Sequence, residues 1–373
     1  MLSVKLDRKH IENFDVVLLV LLFIITTMGI FAIYSAGFDP VDGKVRTFYL
    51  KQFYFLILGY VLFFGFSAIG YKRLVKYSYV LYFFGILILV AVLLMGHEGK
   101  GAVRWISVAG IRIQPSEFFK FIWVIVLARL YIDFTMNKYG MLDIIKKLFM
   151  SMPPFLLVFL QPDLGTGGTY LAVWGIVLLF IGIKRVTLMI ILASLVFAAP
   201  LLWTHMKPYQ KQRVETFLNP EADPFGSGYH VIQSKIAIGS GGLFGKGFMN
   251  GTQSHLKFIP ERHTDFIFAV IAEEFGFVGG CVVILIFSGL VFRIIYIGVN
   301  SKESAGKLVC VAAASLFFFQ FFVNMAMTVG MMPVVGIPMP MVSYGGSSLV
   351  TFMAILGIVN SVAMRRFDSP SEE

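Results

Sequence analysis

Glu261, Arg262, His263 and Asp265 fall within one short stretch, and the chain continues directly into the apolar run FIFAVIA. A carboxylate held at the start of an apolar helix is suited to taking a proton from a bound hydroxyl, provided the two come within hydrogen-bonding reach. A free aspartate titrates near pKa ~3.9 and is a weak base at neutral pH, so positioning and partial burial must supply the rest. An isolated Asp265 would be read as a first-turn residue complementing the helix dipole, with Thr264 capping the helix that starts near Phe266. Its ionisable neighbours point instead to a site.

Other residues extend the chemistry. Glu273 and Glu274 lie further along the same helix, but at 3.6 residues per turn Glu273 falls about 80° around from Asp265 and Glu274 on the opposite face. A glycosidase-like carboxylate pair is poorly supported, and a single base suits a transfer whose leaving group is already good, such as pyrophosphate. Upstream, RVETFLNPEADPFGSGYHVIQSKIAIGSGGLFGKG supplies Arg213, Lys235 and Lys246 among many glycines. Backbone amides with Lys or Arg can cradle phosphate, although Ser240 and Gly247 break a Walker pattern; a flexible solvated loop is the alternative. GAVRWISVAGIRIQPSEFFKF adds Arg104 and Trp105, then Glu117 and Lys120 on one helical face, where they either line a polar cavity or neutralise each other. The histidines at 205, 230, 255 and 263 lack metal-ligand spacing, so no protein metal site is expected. A labile divalent cation, Mg or Mn, on Asp265 and a pyrophosphate remains compatible with the sequence.

These residues need a scaffold, and composition names it. The chain is 58% hydrophobic and only 14% charged, against roughly 45–50% and about 25% for soluble domains. The apolar residues fall in blocks long enough to cross a bilayer as helix. About ten spans are expected, in 15–36, 52–70, 77–95, 116–134, 148–161, 165–183, 187–203, 266–296, 305–330 and 347–364. The fold class is an all-α polytopic membrane protein. Cys281 and Cys310 both lie inside apolar blocks and read as packing residues.

Placing the N-terminus in the cytoplasm concentrates Lys and Arg in the inside segments, which predicts both termini to be cytoplasmic. Much of the net charge of +10 is thereby topological, and nucleic acid is not implied. Residues 204–264 form a large extracytoplasmic loop between helices 7 and 8. At about 60 residues it far exceeds an ordinary connection, which suggests function. MPVVGIPMPMVSYGGSS, residues 332–348, is uncharged and rich in proline and glycine. It is either an ordinary outer loop or a re-entrant cover, since irregular backbone at membrane depth must be shielded by protein or water.

Five motifs in this order, RWISVAGIRIQPSEFFK, QPDLGTG, GYHVIQSKIAIGSGGLFGKG, FIPERHTDFIFAVIAEEFG and PMPMVSYGGSS, closely resemble the SEDS (RodA/FtsW) family over nearly the whole chain. Arg262 in PERHTDF and the lysine-free PVVGIPMP make it resemble the elongation members more than the division members. The resemblance implies a single SEDS-type transmembrane domain spanning 1–373 in the cytoplasmic (inner) membrane. It implies a peptidoglycan glycosyltransferase that polymerises lipid II onto the nascent glycan strand, inverting the anomeric centre. It further implies a class B penicillin-binding protein as crosslinking partner, beside other elongation-complex proteins. The family's essential aspartate falls on Asp265. The substrate-binding surface is expected at Arg104, Trp105, Glu117, Lys120, Arg213, Gln233, Lys235, Lys246, Glu261, Arg262, His263, Thr264 and Ser343. The rivals are a lipid II flippase, which would need polar groups along its whole path, a division-type polymerase, and a scaffold that recruits the crosslinking enzyme.

Overall fold

The computed structural model describes residues 8–367 apart from 41, 96, 100, 101, 109, 110, 134–140, 225, 227 and 257. Ten long helices, labelled here in chain order, match the ten apolar blocks: α1 Val16–Ala36, α2 Phe48–Ile69, α3 Ser78–Met95, α4 Pro115–Leu130, α5 Met141–Leu160, α6 Leu164–Ile181, α7 Arg185–His205, α8 Ile267–Val299, α9 Ser304–Thr328 and α10 Gly346–Met364. Six of them, α1, α2, α6, α8, α9 and α10, are long and apolar enough to span a bilayer on those criteria alone. The protein is a polytopic, mainly helical membrane protein. Along their spans α10 is 94% buried and α9 72%, against 22% for α2, so α9 and α10 form the centre of the bundle and α2 its lipid-facing edge.

Local chemistry sets the ends. Asp15 caps α1 by accepting the Leu18 amide at 2.8 Å, and Asp163 caps α6 through Thr166. Pro115 opens α4 at a position where its missing N–H costs nothing. At the end of the bundle remote from Asp265, the Arg293 guanidinium grips the Asp15 carboxylate at 2.7 Å. The Asp15 amide donates to the Asn360 side chain, which donates in turn to Ser67. That network binds α1, α2, α8 and α10 together at one end.

One expected span needs correction, and the connections carry structure of their own. The fifth block, expected over 148–161, is a helix from Met141, and Pro153 and Pro154 lie within it. The connections are not bare loops: Phe38–Asp39 pairs with Lys44–Val45, and His97–Gly99, Ala102–Val108 and Ile111–Ile113 form a three-stranded antiparallel sheet. Residues 204–264 contain helices Pro208–Leu218, Tyr229–Ser240 and Thr252–His255, which explains how so long a connection stays ordered.

The glycine run of that connection has a structural task. Gly276 adopts φ +67° inside α8 and breaks its hydrogen-bond ladder. The segment after Tyr229–Ser240 inserts into the break. The amides of Phe277 and Val278 donate to the carbonyls of Gly242 and Leu243, while the amides of Lys246 and Gly247 donate to the carbonyls of Glu273 and Glu274. Only glycine permits this approach at Gly245, where a Cβ would stand 2.1 Å from the Glu274 carbonyl oxygen and φ is +80°. The amides of Lys246 and Gly247 are thus committed to α8 and do not form a phosphate cradle. Gly245→Ala is expected to destabilise the protein by about 2–4 kcal/mol, read as a lower melting temperature in detergent; an unchanged melting temperature would show that the insertion is not stabilising.

Candidate active site

Asp265 stands immediately before α8, in a turn that folds around one carbonyl. The amides of Thr264, Asp265 and Phe266 all converge on the Glu261 carbonyl, at 3.1–3.3 Å. Thr264 does not cap α8, as its spacing suggested; its hydroxyl turns back to the carbonyl and carboxylate of Glu261. Phe266 occupies the cap position without a side-chain hydrogen bond.

The turn is held against 331–345 by side chains from α9 and α2 and by Ser343 of the segment itself. The Asn324 side chain, wholly buried in α9, donates to the Asp265 carbonyl at 3.0 Å and to the Ile337 carbonyl at 2.8 Å. The Ser343 hydroxyl donates to the Thr264 carbonyl at 2.6 Å and accepts the Met339 amide, and the Tyr344 amide donates to the His263 carbonyl. Gln52 of α2 donates to the Ser343 carbonyl and accepts the Gly345 amide. The His263 ring lies flat on Phe48, the first residue of α2, with centroids 4.4 Å apart.

Residues 331–345 are therefore a re-entrant cover. Ile337, Met339, Met341, Val342 and Ser343 are all buried. The Met341 carbonyl approaches Gly29 so closely that a Cβ there would lie 2.7 Å away, and Gly29 is about 10 Å in from the Ala36 end of α1. Next to Asp265 the cover carries Gly336, whose notional Cβ would sit 3.7 Å from the Asp265 carboxylate. The half-buried carboxylate thus faces a position with no side chain.

The remaining expected site residues divide into groups. Arg262 is buried, and its guanidinium donates to the carbonyls of Ala36 and Phe38, at 2.6 and 3.2 Å. It satisfies the end of α1 and braces the turn from below. Burial lowers its pKa from the ordinary arginine value, with Arg46 adding to the shift and Asp39 opposing it. Lys246 is paired to Glu273 at 2.7 Å, and the same carboxylate accepts the amides of Gln253 and Ser254. Glu274 accepts from Ser35 and meets His255, so both glutamates pin the long connection rather than forming a catalytic pair. Arg213 and His230 line a cavity of about 450 Å³ between Pro208–Leu218, Tyr229–Ser240 and Gly330–Val334. Lys235 packs over Gly330 on the wall of that cavity, and Gln233 is half-buried on the same helix. The cavity adjoins the Asp265 turn, since the His230 ring lies 6.4 Å from that of Phe266.

Glu117 and Lys120 form a buried pair at 2.6 Å on α4, with Lys120 facing Phe352 of α10. The two neutralise each other, while the second Glu117 carboxylate oxygen has no hydrogen-bond partner among the described residues. Just before α4 the Gln114 amide donates to the Ser347 hydroxyl of α10, two residues beyond the Gly345 that Gln52 holds. Trp105 is half-buried in Ala102–Val108. Arg104 lies in the same strand, and its side chain falls outside the described residues. No group of three or more His, Cys, Asp or Glu side chains is placed to hold a metal ion among the described residues.

Sequence reasoning missed Asn324, Gln52, Phe48 and Gly336. An amide in an otherwise apolar helix was a usable signal for Asn324; the others act only through tertiary contact.

Fold and site together define a multi-pass membrane protein that presents a braced carboxylate at one mouth of its helix bundle. The chain belongs to the FtsW/RodA/SpoVE family, whose model, described as cell cycle protein, matches residues 15–367. The peptidoglycan glycosyltransferase MrdB of Escherichia coli (strain K12) is 38% identical over 362 residues, covering 96% of this chain and 95% of that one. The peptidoglycan glycosyltransferase RodA of Treponema pallidum (strain Nichols) is 31% identical over 430 residues, covering 96% and 99%. A chain from a solved peptidoglycan synthase complex, studied for the coordination of polymerization and crosslinking, superposes with a TM-score of 0.80 at 29% identity over 95% of this chain and 99% of its own.

Asn324→Ala would leave the carbonyls of Asp265 and Ile337 without this buried donor, a loss of about 2–4 kcal/mol. Hydrogen–deuterium exchange is expected to rise at the amides of 264–266 and 339–344 while the Asp15–Arg293 end stays protected. Unaltered exchange at the turn would remove Asn324 from this role.

Proposed function

We infer that the protein is a peptidoglycan glycosyltransferase of the elongation type, which polymerises lipid II into β-1,4 glycan. The observation that carries the mechanism is the placement of Asp265. Its backbone is fixed by Asn324 and the Glu261 turn, and its carboxylate faces the side-chain-free Gly336. In a substrate complex Asp265 accepts the proton of the acceptor N-acetylglucosamine 4-hydroxyl. That oxygen attacks C1 of the donor N-acetylmuramic acid and inverts it. Undecaprenyl pyrophosphate departs as a stable anion, so no general acid is required.

An amphiphilic substrate explains the location. Its lipid lies among the membrane helices and its sugars outside, so a base at the helix mouth meets the reacting atoms at the boundary. This orientation puts the Asp265 end on the extracytoplasmic face of the cytoplasmic membrane and both termini in the cytoplasm. Arg213, which lines the cavity beside the turn, and Lys235, which packs on its Gly330 wall, are the cations placed to offset pyrophosphate charge, whereas Lys246 is held by Glu273. A divalent Mg or Mn ion on Asp265 and the pyrophosphate would add to that neutralisation, in keeping with the few protein carboxylates Mg commonly uses at phosphate sites. Lipid II and the nascent strand are the substrates, and a class B penicillin-binding protein with other elongation proteins completes the assembly.

Purified protein, alone and with its class B partner, should convert labelled lipid II to a glycan ladder in the presence of penicillin. Asp265→Ala is expected to reduce the ladder by about 10²–10⁴-fold, the range of general-base contributions, with folding and partner binding intact. A ladder that survives Asp265→Ala would discard this mechanism, and a folded wild-type complex that makes none would favour the flippase. Chelation is expected to lower the yield, with recovery on adding Mg or Mn; insensitivity to chelator would remove the cation.

A further inference from the structure

A second pocket, of about 370 Å³, lies at the end of the bundle remote from Asp265, where α4 finishes and α5 begins. Tyr79, Arg129, Asp133, Lys146 and Lys147 line it together with the apolar Leu130, Ile132 and Met150. Nothing in the glycosyl-transfer chemistry uses it, because α4 is about 24 Å long and approaches the Asp265 mouth only by its other end.

The cations of this pocket are not equivalent. Lys147 is engaged: its ammonium donates to the Leu130 carbonyl at 2.7 Å and stands over the Tyr131 ring at 4.7 Å, with Asp133 and Asp143 as acidic neighbours. Arg129 only stacks over the Tyr79 ring, 6.0 Å from its centroid. Among the described residues, neither the Arg129 guanidinium nor the Lys146 ammonium makes a hydrogen bond or ion pair. Two cations without anionic partners therefore share one wall system with a tyrosine.

The surroundings specify what kind of anion fits. Leu142, Lys146 and Phe149 follow one another at i, i+4 and i+7 on α5, and all three are exposed, so the ammonium belongs to a strip of membrane-facing apolar side chains. Across the pocket, Tyr79 and Phe83 continue an exposed apolar face along α3. A ligand that places a negative group between Arg129 and Lys146 would have its remainder on these two faces. Basic pockets between membrane helices near the bilayer surface suit lipid headgroups for this reason.

We propose that the pocket formed by Tyr79, Arg129, Lys146 and Lys147 binds the phosphodiester headgroup of an anionic phospholipid, with its acyl chains along α3 and α5. Arg129 supplies a planar fork for phosphate oxygens, Lys146 a second charge from the lipid side, and the Tyr79 hydroxyl a polar group for the headgroup. The site depends on the membrane fold and not on the glycosyltransferase assignment. Its failure would leave that assignment untouched.

The test uses the full-length protein, purified and delipidated in neutral detergent, titrated with phosphatidylglycerol or phosphatidylcholine and followed by native mass spectrometry. The pair Arg129→Gln/Lys146→Gln is compared with Lys184→Gln/Arg185→Gln, an equal charge change on exposed residues outside the pocket. Wild-type protein is expected to retain phosphatidylglycerol in preference to phosphatidylcholine. The apparent Kd for phosphatidylglycerol should rise about tenfold or more in the pocket variant, from the loss of two cations near the headgroup, and stay unchanged in the control pair. Equal weakening in both pairs, or in neither, would overturn the proposal. Full competition by soluble sn-glycerol 3-phosphate would overturn it as well, by assigning the pocket to a free phosphate. Should the double variant fold poorly, the single change Lys146→Gln at its exposed position carries the same comparison.

Discussion

The active end of this protein depends on one buried carboxamide. Asn324 gives both of its N–H groups to backbone carbonyls, one in the turn that carries Asp265 and one in the re-entrant segment. In a membrane protein such groups cannot fall back on water, and irregular backbone survives at depth only where protein satisfies it. Ser343 and Gln52 complete that satisfaction from the other side. The cover, the turn and the first residues of α2 are consequently one unit. The position of the carboxylate follows from the packing of α9 and α10 at the centre of the bundle.

A second constraint is the break in α8. A continuous helix would deny the long connection its main-chain anchorage on α8. Gly276 opens two amides and two carbonyls, and residues 242–247 fill them as an added strand would. Glu273 and Glu274, which look catalytic by residue type, are spent on this junction, holding Lys246, the Gln253 and Ser254 amides, Ser35 and His255. Buried carboxylates are tolerable there because each is met by several donors.

The bundle was legible because membrane spans announce themselves by length and apolarity, and the placement of Asp265 at a helix start followed from the abrupt change after Asp265 into FIFAVIA. What could not be read was the division of labour among polar residues. Arg262 sits three positions from Asp265 yet spends its guanidinium on α1, and a lysine in a glycine run looks like a phosphate binder whether or not a distant glutamate meets it. Thr264 had the right offset to cap a helix, but the Glu261 carbonyl gathers the amides it would have served. Such choices are settled by which long-range partner arrives, and no local spacing encodes that.

The way residues 242–247 grip α8 has an evolutionary consequence. The grip is made by main-chain groups, while Leu243 and Phe244 project outward and are exposed. Selection can therefore rewrite those two side chains without loosening the junction, provided the neighbouring glycines stay. The junction is thus specified by backbone geometry and its glycines, and not by the chemistry of the two side chains it presents outward.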